Sequence, residues 1–151
     1  MKNTLILAAL VLFFVSCNDD DVDTTKPTIE IIKPAEDARH FHQGDTFDFE
    51  ALFTDNVALK SYMVEIHYNG DGHDHTAAVK STTEDDHVEW EQSWSGDLTE
   101  AKEDRAAISG IEVPANAEPG EYHLGVYCFD TAGNESQVFI DIEVEEEGHE
   151  H

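Results

Sequence analysis

The chain has 151 residues, of which 34 are acidic and 8 are lysine or arginine, and its formal net charge is −26. Such a charge repels nucleic acid and attracts cations, so no nucleic-acid partner is expected. Apolar residues make up 40% of the chain and alternate in short runs, which excludes disorder except at the ends. The length leaves room for one ordinary domain.

The first segment predicts export. Lys2 supplies a positive charge ahead of the apolar run 5–15, which is too short to span a bilayer stably. The run ends in FVSC, and this junction resembles the lipobox of bacterial lipoproteins. The resemblance implies a signal peptide over residues 1–16, cleavage before Cys17, lipidation of that cysteine and anchoring at the outer membrane, on its cell-surface or periplasmic face. The alternative is an ordinary signal peptide with an incidental cysteine.

A polar, acidic tether is expected at residues 17–26. Its run of Asp19, Asp20 and Asp21 resembles the surface-export signals of Bacteroidetes lipoproteins, and a plain solvated linker is the alternative. At the other end of the chain, residues 147–151 are expected to form a disordered tail.

Between the tether and the tail, short alternating strands are separated by turn signals. This pattern predicts an all-β, immunoglobulin-like antiparallel β-sandwich of about seven strands over residues 27–146. One helical turn is expected within residues 99–107. The strands are predicted at about 28–33, 46–53, 61–68, 88–94, 108–113, 121–129 and 137–145.

Three stretches carry a resemblance to known domains: KPTIEIIKPAE, GDTFDFEALFTDNVALKSYMVEIH and PGEYHLGVYCFDTAGNES. They look like bacterial immunoglobulin-like domains, and residues 26–145 are similar to a Bacteroidetes lipoprotein family, domain of unknown function 4625. The shared DN-x-x-L and D-x-A-G-N turns indicate fold rather than function, whereas IHYNGDGHDH is the more specific stretch. The resemblance implies a further histidine ahead of the IEVP strand, where this chain has RAAISG over residues 105–110.

The nine histidines favour one end of the predicted sandwich, away from the tether. Strand alternation makes His67 and His123 point outward, and their two strands are neighbours in an immunoglobulin sheet. We therefore expect them to form a cross-strand pair. An extended H-x-H at His73 and His75 follows one of these strands and sends both imidazoles the same way.

Converging imidazoles suit zinc, copper or nickel, which favour nitrogen over carboxylate ligands. The sequence therefore predicts a zinc or copper site made by His67, His73, His75 and His123. The alternative is that these histidines are simply solvated or respond to pH. Secondary metal candidates are His40, His42, Asp71 and Asp74.

A calcium site at the other end is a separate possibility. Asp55 and Asn56 lie in one predicted turn, and Asp130 and Asn134 lie in a second turn at the same end of the sandwich. The alternative is an Asx turn at each place, with Gly133 in a left-handed conformation.

The chain contains no nucleophile elbow, P-loop or dinucleotide fingerprint, so an enzyme is not expected. Cys128, in an apolar strand, is expected to be buried and inert. One functional hypothesis is a metal-binding lipoprotein that hands zinc or copper to a TonB-type receptor or another envelope protein. The other is a surface adhesion or scaffold module that binds protein or glycan, with no metal role or with a structural calcium.

Overall fold

The computed structural model describes residues 22–70 and 87–146. Within these ranges it contains no helix long and apolar enough to cross a membrane. A short 3-10 helix covers Glu36–Ala38. The strands are β1 Thr28–Lys33, β2 His40–His42, β3 Thr46–Thr54, β4 Leu59–Tyr68, β5 Gln92–Asp97, β6 Glu103–Glu112, β7 Gly120–Asp130 and β8 Glu135–Glu145.

The strands form two sheets, with the orders β1-β3-β6 and β2-β8-β7-β4-β5. Every pairing is antiparallel except that of β2 with β8, which is parallel. The predicted all-β, immunoglobulin-like sandwich is confirmed, with eight strands in the described residues. The prediction that β4 and β7 are neighbouring strands is also confirmed.

The core lies between the sheets and follows the predicted two-residue alternation. Strand β3 sends its alternate apolar side chains inward, and β7 does the same from the other sheet. A residue placed one position along either strand would face solvent instead, so the alternation fixes the register. The buried apolar side chains of these two strands are Phe47, Phe49, Ala51 and Phe53, and Tyr122, Leu124, Val126 and Cys128.

Three elements differ from the sequence prediction. The middle strand expected at about 88–94 is β5 at Gln92–Asp97, so Val88 and Trp90 precede it. The helical turn over residues 99–107 is wrong, because β6 already begins at Glu103 and pairs with β3, where Arg105 Nη1 lies 2.9 Å from Glu50 Oε1. Strand β2 was not predicted. It holds a single apolar residue, Phe41, whose ring stacks on that of Phe47 with centroids 4.4 Å apart.

Tyr122 is fully buried near the start of β7, and its hydroxyl forms hydrogen bonds with the backbone of neighbouring segments. Its hydroxyl donates to the Glu118 carbonyl at 2.7 Å and accepts from the Trp90 amide at 3.4 Å. Desolvation raises the pKa of Tyr122 to about 12, so the hydroxyl keeps its proton to donate. A tyrosine at this place that bonds back to the backbone is a hallmark of immunoglobulin-like sandwiches.

Replacing Tyr122 with phenylalanine is expected to lower the free energy of unfolding by about 1 kcal/mol, because the partly buried Glu118 carbonyl loses its donor. Urea denaturation followed by tryptophan fluorescence measures the change. Tyr62→Phe is the matched control, since its ring stacks on Phe53 and its hydroxyl makes no hydrogen bond among the described residues. Equal losses in the two variants would contradict the role given to the Tyr122 hydroxyl.

Candidate metal centre

Two turns lie side by side at the end of the sandwich where β1 begins. In the β3–β4 turn, Asp55 Oδ1 accepts the amides of Val57 at 2.8 Å and Ala58 at 2.7 Å. In the β7–β8 turn, Asp130 Oδ1 accepts the Asn134 amide at 2.7 Å, and Gly133 has a φ of 94°. Both turns therefore form the Asx-type hydrogen bonds predicted as the alternative to a calcium site.

The pairing of β4 with β7 brings the two turns together. Leu59 lies opposite Asp130 in the register, and the Thr131 amide donates to the Ala58 carbonyl at 3.0 Å. The aspartates that begin these turns consequently face the same space.

A third segment, which precedes β1, also borders this space. Asp23 Oδ1 accepts the Thr25 amide at 3.0 Å and the Asn56 side-chain amide at 3.1 Å. The Asn134 side-chain amide donates to the Asp23 carbonyl at 3.1 Å. The end of the predicted tether is thus bound to both turns, and Asp23 joins the site although its sequence context gave no sign of it.

Asp23, Asp55 and Asp130 form the aspartate cluster, in which one oxygen from each lies within 4.8 Å of the others. Calcium binds oxygen at 2.3–2.6 Å, so two of its ligands are at most about 5 Å apart. The three carboxylates therefore fit one calcium coordination sphere.

Two carboxylate oxygens of the cluster lack a hydrogen-bond partner within the described residues. Asp130 is fully buried, and the Oδ2 atoms of Asp23 and Asp55 are buried without a hydrogen-bond partner in this part of the chain. Within the described residues, the ion pairs of lysine and arginine side chains are made with Asp48 and Glu50, and none is made with the aspartate cluster. Buried carboxylate oxygens without a partner are costly, and a bound cation removes that cost.

The pKa values of two groups reflect this environment. Burial disfavours the charged form of Asp130, but the side-chain and backbone hydrogen bonds from Asn134, with those from the Gly133 and Ala132 backbone, outweigh it and hold the pKa below 3.8. Burial, with the charges of Asp55 and Asp130, raises the pKa of the Cys128 thiol to about 12. Cys128 is buried as predicted and remains a protonated, unreactive thiol.

The two asparagines of the predicted calcium site, Asn56 and Asn134, have a different role from the aspartates. Their side-chain nitrogens point into the cluster: Asn56 donates to Asp23, and Asn134 donates to Asp130 Oδ2 at 2.6 Å. In this arrangement they position carboxylates, and the carboxylate oxygens are the available ligands.

The predicted histidine pair is present at the opposite end of the β2-β8-β7-β4-β5 sheet. His67 and His123 lie directly opposite each other, with ring centroids 5.3 Å apart, on the outer face. Their side chains are 25% and 24% exposed. His123 Nε2 lies 3.3 Å from Asp141 Oδ1, and His67 Nδ1 lies 3.8 Å from Glu65 Oε1.

The other predicted site residues divide into two groups. His40 and His42 lie on β2, each next to a glutamate of β8. The lipidation residue and the loop candidates lie outside the described residues: Cys17, Asp71, His73, Asp74 and His75.

Because the pKa of Asp130 is lower in the folded protein than its ordinary value of 3.8, ionised Asp130 stabilises the fold above pH 3.8. This stabilisation is lost as the pH falls through the lower, folded-state pKa. Urea denaturation across this acid range, in a calcium chelator, is expected to show a steeper loss of stability in the wild type than in Asp130→Asn. Asn134→Ala, which removes one donor, should lie between them. Parallel curves for all three proteins would contradict this assignment.

Comparisons with known proteins bear on the family and the fold. A search of curated proteins finds no match. Among solved structures, the chain is similar to wild-type OgpA from Akkermansia muciniphila, at 16% identity and a TM-score of 0.47, over 80% of this chain and 30% of that one. The chain thus spans less than a third of that protein. The family model described as "Domain of unknown function (DUF4625)" matches residues 15–145, and the chain belongs to that family.

Proposed function

We propose that the chain is a lipid-anchored envelope module whose anchor-side end is fastened by calcium bound at the aspartate cluster. The observation that carries the proposal is the convergence of three carboxylates from three separate segments on one space, with one of them fully buried. Oxygen ligands of this kind suit a hard cation such as Ca²⁺ rather than zinc or copper.

The proposed role of calcium is structural. Asp23 belongs to the segment that leads from the predicted anchor, whereas Asp55 and Asp130 belong to the two turns of the sandwich. A shared ion would hold the tether against the domain and so fix the direction in which the sandwich leaves the membrane. The proposed activity of the module is binding, as in an adhesion or scaffold protein, and not catalysis.

Calcium is expected to raise the free energy of unfolding by about 2.7 kcal/mol at a free concentration 100 times the Kd. For a domain of this size, the melting temperature then rises by about 10 °C. Asp23→Asn should lose most of this rise, yet in chelator it should be as stable as the wild type or more stable, because one repelling charge is removed. Differential scanning calorimetry with Ca²⁺, with Mg²⁺ and with chelator measures both effects.

The matched control is Asp141→Asn, on the outer face of β8 with its side chain 78% exposed. This variant should keep the full calcium response. An equal rise in the wild type and in Asp23→Asn would contradict calcium binding at the cluster, as would a wild type that does not respond to calcium.

Membrane attachment is proposed to depend on Cys17. Cys17→Ala should release the protein into the soluble fraction of the envelope, because the lipid acceptor is lost. Cys128→Ala is the control and should stay with the membranes, since its thiol is buried in the core. Membrane fractionation with immunodetection measures the distribution. Retention of Cys17→Ala in the membrane fraction through its N-terminus would show that the anchor lies elsewhere.

A second candidate function is transition-metal binding at the histidine pair, with His73 and His75. The observation in its favour is the direct opposition of His67 and His123, whose ring centroids are 5.3 Å apart on a partly exposed face. Two imidazoles at this spacing can turn toward one ion, and a metal handed on to an envelope receptor has to be held at an accessible site. The double variant His67→Ala/His123→Ala removes both imidazoles from this candidate and should abolish zinc binding there.

A further inference from the structure

Strand β2 places two histidines beside two glutamates at the edge of the five-stranded sheet. It pairs in parallel with β8, so that His40 lies next to Glu143 and His42 next to Glu145. Between them, Phe41 and Val144 are both buried in the core. Because side chains alternate along a strand, the histidines and glutamates must all face outward. His40, His42, Glu143 and Glu145 are called the edge cluster.

Three of the four side chains of the edge cluster have the spacing of a metal coordination sphere. His40 Nδ1 lies 3.0 Å from Glu143 Oε2, and His42 Nε2 lies 3.4 Å from Glu145 Oε2. Ligand atoms of His40, Glu143 and Glu145 are all within 4.8 Å of one another. In a tetrahedral zinc site with bonds of 2.0–2.1 Å, neighbouring ligand atoms are about 3.3 Å apart. Three of these groups can therefore reach one ion as they stand, and rotation of the His42 side chain, already beside Glu145, would bring in the fourth.

A fifth residue, Asp45, lies beside the ring of His42. Asp45 Oδ2 accepts the His42 backbone amide at 2.7 Å and lies 3.5 Å from His42 Nδ1. The other ring nitrogen, Nε2, then faces Glu145. A carboxylate on one nitrogen of a histidine and a metal on the other is a common arrangement in zinc sites, because the carboxylate fixes the ring and makes the free nitrogen more basic.

We propose that the edge cluster is a zinc site, formed by the imidazoles of His40 and His42 and the carboxylates of Glu143 and Glu145 and supported by Asp45. Two nitrogen ligands distinguish it from the all-oxygen aspartate cluster and favour a borderline transition ion over calcium. The two sites are independent in space. From Glu135, beside the aspartate cluster, to Glu143, strand β8 extends about 26 Å.

The proposed ion would also join β2 to β8. Strand β2 is three residues long, and its inward anchor is the ring of Phe41. A zinc ion held by both strands would cross-link this edge without any change in the core. The chain's net charge of −26 favours the approach of cations to such an exposed site.

The test is calorimetric titration of the full mature protein with zinc chloride, in excess calcium so that the aspartate cluster is filled. The wild type is expected to show a binding event that His40→Ala/His42→Ala loses, with affinity reduced more than about 100-fold. Glu143→Gln/Glu145→Gln keeps the side-chain sizes and should weaken the same event. Asp141→Asn, on the same face, is the matched control and should retain it, as should Asp23→Asn.

Folding is checked by urea denaturation of each variant without zinc, and Glu143→Gln/Glu145→Gln decides the outcome if the histidine variant is unstable. Unchanged zinc binding in both edge variants would overturn the proposal. Loss of the event in His67→Ala/His123→Ala but not in the edge variants would assign it to the histidine pair instead. Its loss in a chain ending at residue 146, with the edge residues intact, would assign it to His149 and His151. Asp23→Asn lacks one carboxylate of the aspartate cluster. A zinc-binding event that this variant retains therefore does not depend on calcium binding at that cluster, and the zinc result stands even if the calcium proposal fails.

Discussion

The antiparallel pairing of β4 with β7 is the constraint on which the rest of the molecule depends. It runs from Leu59 opposite Asp130 to Tyr68 opposite Tyr122, with one irregularity near its start. Because side chains alternate along both strands, one register determines which side chains meet on each of the two faces of the sheet. Val64 and Val126 meet in the core, and His67 meets His123 on the outside. At the end of the same ladder, the β3–β4 and β7–β8 turns are brought side by side, which places Asp55 near Asp130.

Strand alternation made most of this predictable. The outward direction of His67 and His123 follows from counting along two apolar strands. That the two strands are adjacent follows from the fold class. The β6 strand was missed at its start because residues 103–107 carry charged and small side chains without apolar alternation; their pairing with β3 supplies what the local sequence lacks. Strand β2 was missed because three residues with one apolar side chain give no period to detect.

The aspartate cluster shows a different limit. Asp55 and Asp130 could be found because each begins a recognisable turn, but Asp23 lies in a run of aspartates that looks like a solvated linker. Nothing local separates it from Asp19, Asp20 or Asp21. What selects Asp23 is its distance along the chain from β1, which sets where its carboxylate meets the turns. Such a site depends on tertiary position, and a sequence pattern contains that information only indirectly.

The two proposed ions would differ in how readily they exchange, for reasons of burial. The Oδ2 atoms of Asp23 and Asp55 are buried without a hydrogen-bond partner among the described residues, so filling the aspartate cluster removes an electrostatic cost that the fold otherwise bears. The edge cluster is exposed, and without metal its glutamates are solvated or lie beside histidines at little cost. Calcium would therefore be coupled strongly to folding, whereas zinc would be coupled mainly to the docking of β2. A site whose empty state is tolerated is the one suited to taking up and releasing its ion.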